Sequence, residues 1–242
     1  MLAALLAINP PSAQPQPANP LRSFSDQTPG EAISGWTVEP IRGVRSLTRY
    51  RLVPDSERGV VLEGMAEASA GALVTRLEPM LAEGLLLEFS WKIELPVPGS
   101  DPRNKATDDY PARVYVTFTR ENAQLSLRER AENAFARALY GEEPPAAALN
   151  YIALPGSAPE AIFTSLFTER VRMIAVDTRA TQADGWQTFR RDIAADFRRA
   201  FGSVPGRVTG VAVMVDADNT KTRARARFGD IRLLRRSAQA AP

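Results

Sequence analysis

The sequence predicts a mainly β fold, a jelly-roll-like antiparallel β-sandwich with two short helices. Three observations predict it. Residues Leu85 to Leu95 alternate, with Leu85, Leu87, Phe89, Trp91, Ile93 and Leu95 on one face and Glu88, Ser90, Lys92 and Glu94 mostly on the other, the period of a half-buried strand. Arg207 to Leu234 reads as strand, acidic turn and strand, the pattern of an antiparallel pair. No βαβ rhythm interrupts the chain, so the apolar sheet faces are most simply buried against one another.

The elements follow in order. Met1 to Ile8 is an apolar run, and Asn9 to Pro20 is polar and proline-rich. The run is too short to span a bilayer as a helix. It has the character of the apolar region of a secretory signal, with Ala13 as a cleavage position, although the first basic residue is Arg22. Residues 1–22 are therefore expected to be disordered or removed, and the protein to be periplasmic or secreted. A cytoplasmic chain with a frayed N-terminus is the alternative.

Trp36 to Ile41, Leu47 to Val53, Gly59 to Gly64 and Ala70 to Leu77 read as strands before the clear strand at Leu85 to Leu95. Pro96 to Asn104 is a loop by its proline, glycine and aspartate content. Ala112 to Phe118 alternates again, with Ala112, Val114, Val116 and Phe118 on one side and Arg113, Tyr115 and Thr117 on the other. Leu125 to Leu139 changes to helical spacing, with Gly141 as a C-terminal cap. Asn150 to Leu154, Arg170 to Val176 and Trp186 to Asp192 return to strand, and a short helix from Ile193 to Phe201 is closed by Gly202. Phe228, Ile231 and Leu233 all need to face inward, which requires a bulge at Gly229-Asp230. The sum is about ten strands in a single domain over residues 23–236, with residues 237–242 as a disordered tail.

Composition excludes several chemistries. The 242 residues contain no cysteine and no histidine. Thiolate nucleophiles, Ser-His-Asp triads and zinc or iron held by His or Cys are absent, so a metal site must use oxygen ligands and acid–base work must use carboxylates, Tyr, Lys or Arg. The only lysines are Lys92, Lys105 and Lys221, and the formal net charge is +2. That field is too weak to imply a nucleic-acid partner. No segment reads as an integral membrane span of the mature chain.

Four groups of residues are candidate sites. Asp216, Asp218, Asn219 and Thr220 follow an apolar strand and present oxygen donors of the kind that hold calcium; an Asx-type turn uses the same residues. No other cofactor is expected. Asp108 and Asp109, with Arg113 and Tyr115 one strand onward, offer carboxylate, guanidinium and phenol to a sugar ring; an Asp–Arg pair that fixes the loop is the alternative. Asn150 and Trp186 add polar and stacking contacts, unless Trp186 is core like Trp36 and Trp91. Arg223, Arg225 and Arg227 share one face, with Arg235 and Arg236 beyond them, and form either an anion-binding ladder or a solvated outer face that protects an edge.

The ordered series Trp91-Lys92, Asp108 to Val116, Leu149-Asn150-Tyr151, Gly185-Trp186, Asp196 to Gly202, Val215 to Thr220 and Phe228 to Ile231 resembles the bacterial domain family of unknown function numbered 3047, over roughly residues 35–235. The resemblance implies an exported bacterial protein and names no catalytic residue. The helix at 125–139 is long for that family, and Ile152-Ala153 stands where an aromatic is expected.

The expected function is therefore that of a non-catalytic, exported β-sandwich that binds a carbohydrate or another envelope ligand. A polysaccharide hydrolase or lyase acting through Asp108, Asp109, Arg113 and Tyr115, and an assembly protein with no small ligand, are the alternatives.

Overall fold

The computed structural model describes residues 19–119, 146–179 and 185–236. The expected helix at 125–139 and the tail at 237–242 lie outside them, as does most of the N-terminal segment.

Two sheets face each other. One has seven strands: β1 (Thr37–Glu39), β4 (Ala72–Leu81), β11 (Arg207–Met214), β6 (Arg113–Phe118), β7 (Ala147–Ala153), β9 (Val171–Asp177) and β8 (Ile162–Thr164), in that spatial order. The other runs β10 (Gln187–Asp192), β5 (Leu85–Leu95), β12 (Arg223–Phe228), β3 (Gly59–Glu67) and β2 (Arg49–Asp55), with β13 (Arg232–Arg235) also pairing β5. The result is a jelly-roll-like β-sandwich.

The period-two segments set the core. From β5, Leu87, Phe89, Trp91 and Ile93 point between the sheets, where Phe89 and Trp91 pack with Phe189, Tyr151 and Phe228 at ring separations of 5.0–6.4 Å. Val114, Val116 and Phe118 of β6 meet them from the opposite sheet. Trp36 and Trp91 are both core, as expected. The Trp91 indole N–H donates to Asp177 Oδ2 at 3.0 Å, so its one polar atom is satisfied. The chain breaks between β12 and β13 at Gly229-Asp230, and Phe228, Ile231 and Leu233 all enter the core.

Helix α1 (Ile193–Phe201) closes one end. Asp192 caps its first turn by accepting from the Ala195 N–H, and Gly202, at φ 69°, ends it in the left-handed conformation. Inside the helix, Asp196 accepts from the buried Tyr151 hydroxyl and from Arg191, which pins α1 to both sheets.

Two departures from the sequence reading stand out. Strand β9 lies parallel to β7, because the chain passes β7, travels along the sheet edge as β8 and turns back between the two. Every other pairing among the described residues is antiparallel. At the N-terminal side, Asn19 to Arg22 already belong to the fold: Leu21 is buried, and the Asn19 amide bonds the Ile231 carbonyl and the Leu233 N–H. No helix among the described residues is long and apolar enough to cross a membrane.

Candidate functional site

The outer face of the seven-stranded sheet collects most of the polar residues that the sequence singled out. Alternation in β6 sends Val114 and Val116 inward, so Arg113 and Tyr115 point outward. The register then builds a row across the sheet. Phe163 of β8 pairs with Met173 of β9, Met173 with Asn150 of β7, Asn150 with Tyr115 of β6, and Tyr115 with Ala212 of β11. Directly paired residues share a face, so an aromatic ring, a thioether, an amide and a phenol lie side by side.

Arg113 sits one step along from that row. Its Nε donates to Asp216 Oδ1 at 2.8 Å and its Nη2 to Asp216 Oδ2 at 2.5 Å, while Nη2 also reaches the Asp108 carbonyl at 2.7 Å. The guanidinium lies 4.2 Å from the Tyr110 ring centre. Its Nη1 has only long contacts, to the Tyr115 hydroxyl at 3.5 Å and Met173 Sδ at 4.0 Å. Burial alone would lower the Arg113 pKa, but Asp216 overrides this and holds it well above the ordinary value. Burial pushes the Asp216 carboxyl up to about 6, against the pull of Arg113. The ion pair is thus both desolvated and mutually stabilised.

Asp109 has a different task. Its Oδ1 accepts from the Asn219 backbone N–H and side-chain amide, and its Oδ2 from the Thr220 N–H and hydroxyl. It fixes the 217–220 turn from a neighbouring loop. Asp109, Asp216 and Asp218 each bring a carboxylate oxygen within 4.8 Å of the others. Both oxygens of Asp109 and of Asp216 already accept N–H or O–H donors. Asn219 faces Asp109 through its donating NH2 group. These donors build the turn, and a calcium ion in this cluster would share the Asp109 and Asp216 oxygens with them.

Other polar atoms on the face are not matched. Asn150 is fully buried, and neither its amide oxygen nor its amide nitrogen has a hydrogen-bond partner among the described residues. Asp108 Oδ1 and the Tyr110 hydroxyl are buried without a partner of good geometry. Burial raises the Asp108 pKa, opposed by Arg113 and the nearby Tyr110 hydroxyl. Asp108 and Tyr110 lie close enough to serve each other; the Asn150 amide is left, and an unmatched buried group costs about 1–3 kcal/mol, which makes it informative.

The edge of the same face opens to solvent. A cleft of about 430 Å³ lies between the 99–103 loop and the 154–163 segment. Leu154 and Phe163 give it an apolar wall, and Ser100, Asp101, Arg103 and Ser157 a polar rim. Phe163 therefore belongs both to the cleft and to the row that contains Asn150. The sequence reading missed Phe163, because a strand of three residues is too short to display a period; its Ile-Phe-Thr content was the available signal.

Five of the six predicted ligand-binding residues thus gather near one face: Asp108, Arg113, Tyr115 and Asn150 directly, and Asp109 through the turn. Trp186 is elsewhere. It lies beside the six-stranded sheet, with its indole N–H 3.3 Å from Asp55 Oδ1 and the Arg58 guanidinium 4.8 Å from its ring. Of the two readings of Arg223, Arg225 and Arg227, an anion-binding ladder or a solvated outer face, the pairing favours the second: Arg223 pairs with Glu67, Arg225 with Glu94, and Arg227 with Asp55 and Glu94.

A family profile described as "Protein of unknown function (DUF3047)" matches residues 34–232, and the chain belongs to that family. No curated protein matches it. Among solved structures, the family 11 carbohydrate-binding module of the cellulosomal cellulase Lic26A-Cel5E of Clostridium thermocellum is similar at 11% identity and a TM-score of 0.44, over 90% of this chain and 96% of that one. The xyloglucanase domain of NopAA, a type three effector from Sinorhizobium fredii, gives 8% and 0.41 over 88% of this chain and 100% of its own. The enzymatically active domain of bacteriophage CBA120 tailspike protein 4 gives 9% and 0.42, over 90% of this chain and 21% of its own. Likenesses this distant bear on neither ligand nor activity.

Proposed function

We propose that this member of a family of unknown function is an exported, non-catalytic glycan-binding protein, and that the glycan docks on the outer face of the seven-stranded sheet. The observation that carries the reading is Asn150: a fully buried amide with neither atom bonded among the described residues, in the same cross-strand row as the cleft residue Phe163. A primary amide offers one acceptor and two donors. Adjacent sugar hydroxyls present the complementary pair. The Tyr115 hydroxyl and Arg113 Nη1 extend the donor set, Asp108 Oδ1 adds an acceptor, and Phe163 supplies a ring against which a pyranose can stack.

Asn150 has no exposed surface, so a sugar first meets the cleft and reaches the amide through local opening. Glycosidic hydrolysis by two carboxylates needs both free to act on either side of the bond. Of the pair that the sequence suggested, Asp109 is committed to the 219–220 turn, which leaves Asp108 without a second carboxylate to work with. Binding without turnover is the better account. Export is supported by the apolar run at residues 1–8.

The test is calorimetric titration of the protein with neutral, acidic and amino polysaccharides, repeated with Phe163→Ala. Saturable binding to one class, weakened roughly tenfold by the loss of the ring, is the expected result. Absence of binding to every class, or binding that Phe163→Ala leaves intact, refutes the location. Chromatography of the same mixtures reports cleavage, and product formation would refute the non-catalytic assignment. Fractionation of cells that express the full chain tests export.

A further inference from the structure

A second pocket lies on the opposite sheet. It has a volume of about 320 Å³ and sits where β5, β10 and the break after β12 meet. Gly229 forms part of its wall. A Cβ at Gly229 would stand 2.5 Å from Ser90 Oγ and 3.6 Å from Arg58 Nη1. The space over Gly229 is thus bounded by a hydroxyl and a guanidinium, and a side chain there would press on the Ser90 hydroxyl.

The arginines around this space are unequally paired. Arg58 donates from Nη2 to Thr188 Oγ1 at 3.1 Å and lies over Trp186, and it has no carboxylate partner among the described residues. Arg232 approaches Asp230 and Glu88 only at 3.7 and 3.8 Å, too far for hydrogen bonds. The Asp230 carboxylate is engaged elsewhere, by the Phe24 and Ser25 N–H groups and the Ser25 hydroxyl. Glu88 has an arginine directly across from it on each side, Arg190 on β10 and Arg232 on β13. The lining thus holds two guanidinium groups, Arg58 and Arg232, and two carboxylates, Glu88 and Asp230; Arg232 leans toward both carboxylates, and Arg58 is the lining cation without a carboxylate partner among the described residues.

We propose that this pocket binds a small oxyanion (a carboxylate, sulfate or phosphate group), held by Arg58 and Arg232 with Ser90 Oγ as a further donor. Arginine suits the task because its planar fork meets two oxygens at once. Thr188 and the Trp186 ring hold the Arg58 guanidinium in place before a ligand arrives. The site is on the other sheet from the glycan face and does not depend on it.

Thermal unfolding is followed while inorganic sulfate, inorganic phosphate or glucuronate is added at ionic strength held constant with chloride, for the full chain and for Arg58→Gln, Arg232→Gln and Arg223→Gln. Arg223 is exposed, paired with Glu67 and outside the pocket, so its variant is the control. The expected result is saturable stabilisation of the native chain and of Arg223→Gln by at least one anion, with the apparent dissociation constant raised roughly tenfold or more in Arg58→Gln and Arg232→Gln. The anion with the lowest constant identifies the group. The unliganded midpoint of each variant shows whether it has folded. A response that does not saturate, or one equal in Arg58→Gln and Arg223→Gln, overturns the proposal.

Discussion

Arg113 and Asp216 form a two-pronged ion pair with side chains only 6% and 2% exposed, and it joins β6 to the turn that follows β11. Removing one partner leaves a buried charge without its counterion, which costs about 3–5 kcal/mol. Asp216→Asn and Arg113→Met should each lower stability by that amount in urea denaturation. Arg113→Met with Asp216→Leu should recover part of the loss, with a coupling of about 1–3 kcal/mol. Recovery stays partial because Asp216 also accepts the Tyr110 N–H, and Arg113 also serves the Asp108 carbonyl.

Asn150 predicts the opposite sign. Its amide is buried and unmatched among the described residues, so Asn150→Leu, which keeps the volume and removes the polar atoms, should raise stability by about 1–3 kcal/mol. The same variant should lose the glycan response. A gain in unfolding midpoint together with a loss of binding would be the signature of a residue retained for its ligand. A fall in midpoint would mean that the amide is satisfied in solution, by ordered water for example.

Asp177 controls part of the acid limb. Burial tends to raise its pKa, but the two Arg179 hydrogen bonds and the Trp91 indole hold it below the ordinary carboxylate value. A folded-state pKa lower than the unfolded one gives stability that is present above the unfolded value and lost as pH falls through the folded value. Asp216 runs the other way. Its folded value of about 6 exceeds the unfolded one, so its contribution is present below the unfolded value and is lost as pH rises through about 6. The informative quantity is therefore the difference between native and Asp177→Asn stabilities from about pH 5 to 2, which should shrink as the pH falls.

Asp109 tests the calcium alternative. With its four acceptor contacts satisfied by Asn219 and Thr220, Asp109→Ala should cost about 2 kcal/mol or more. Calcium and EDTA should leave the unfolding midpoint of the native chain unchanged. A rise with calcium that Asp218→Asn abolishes would instead establish the metal site.

Much of this arrangement is legible locally. Strand β5 emerges with its predicted limits because eleven alternating residues define a face. The break at Gly229-Asp230 follows from parity, since Phe228 and Ile231 cannot both face inward on an unbroken strand. The site is legible only in its residue types. Arg113 was read beside Asp108 and Asp109, its neighbours in sequence, yet it chose Asp216, 103 residues away. Register across β6 and β11 decides that choice, and no local pattern encodes it. The same limit applies to Trp186: its chemistry suits a sugar, but the pairing of β10 with β5 sends it to the other sheet. The parallel placement of β9 depends on an edge strand of three residues, below the length at which periodicity can be detected.

Asn19 binds residues 212 and 214 positions away, and Phe24 binds Asp230 across 206. A clasp between the two extremities of the domain cannot close until nearly the whole polypeptide is available. On the ribosome, the Asn19–Phe24 segment must wait for the last strand, although β1 with β4 and β2 with β3 can pair earlier. That clasp is therefore among the last contacts to form, closing when synthesis is almost complete. The proximity of the two ends also means that they can be linked and the chain reopened at an exposed turn, moving its termini without disturbing either sheet.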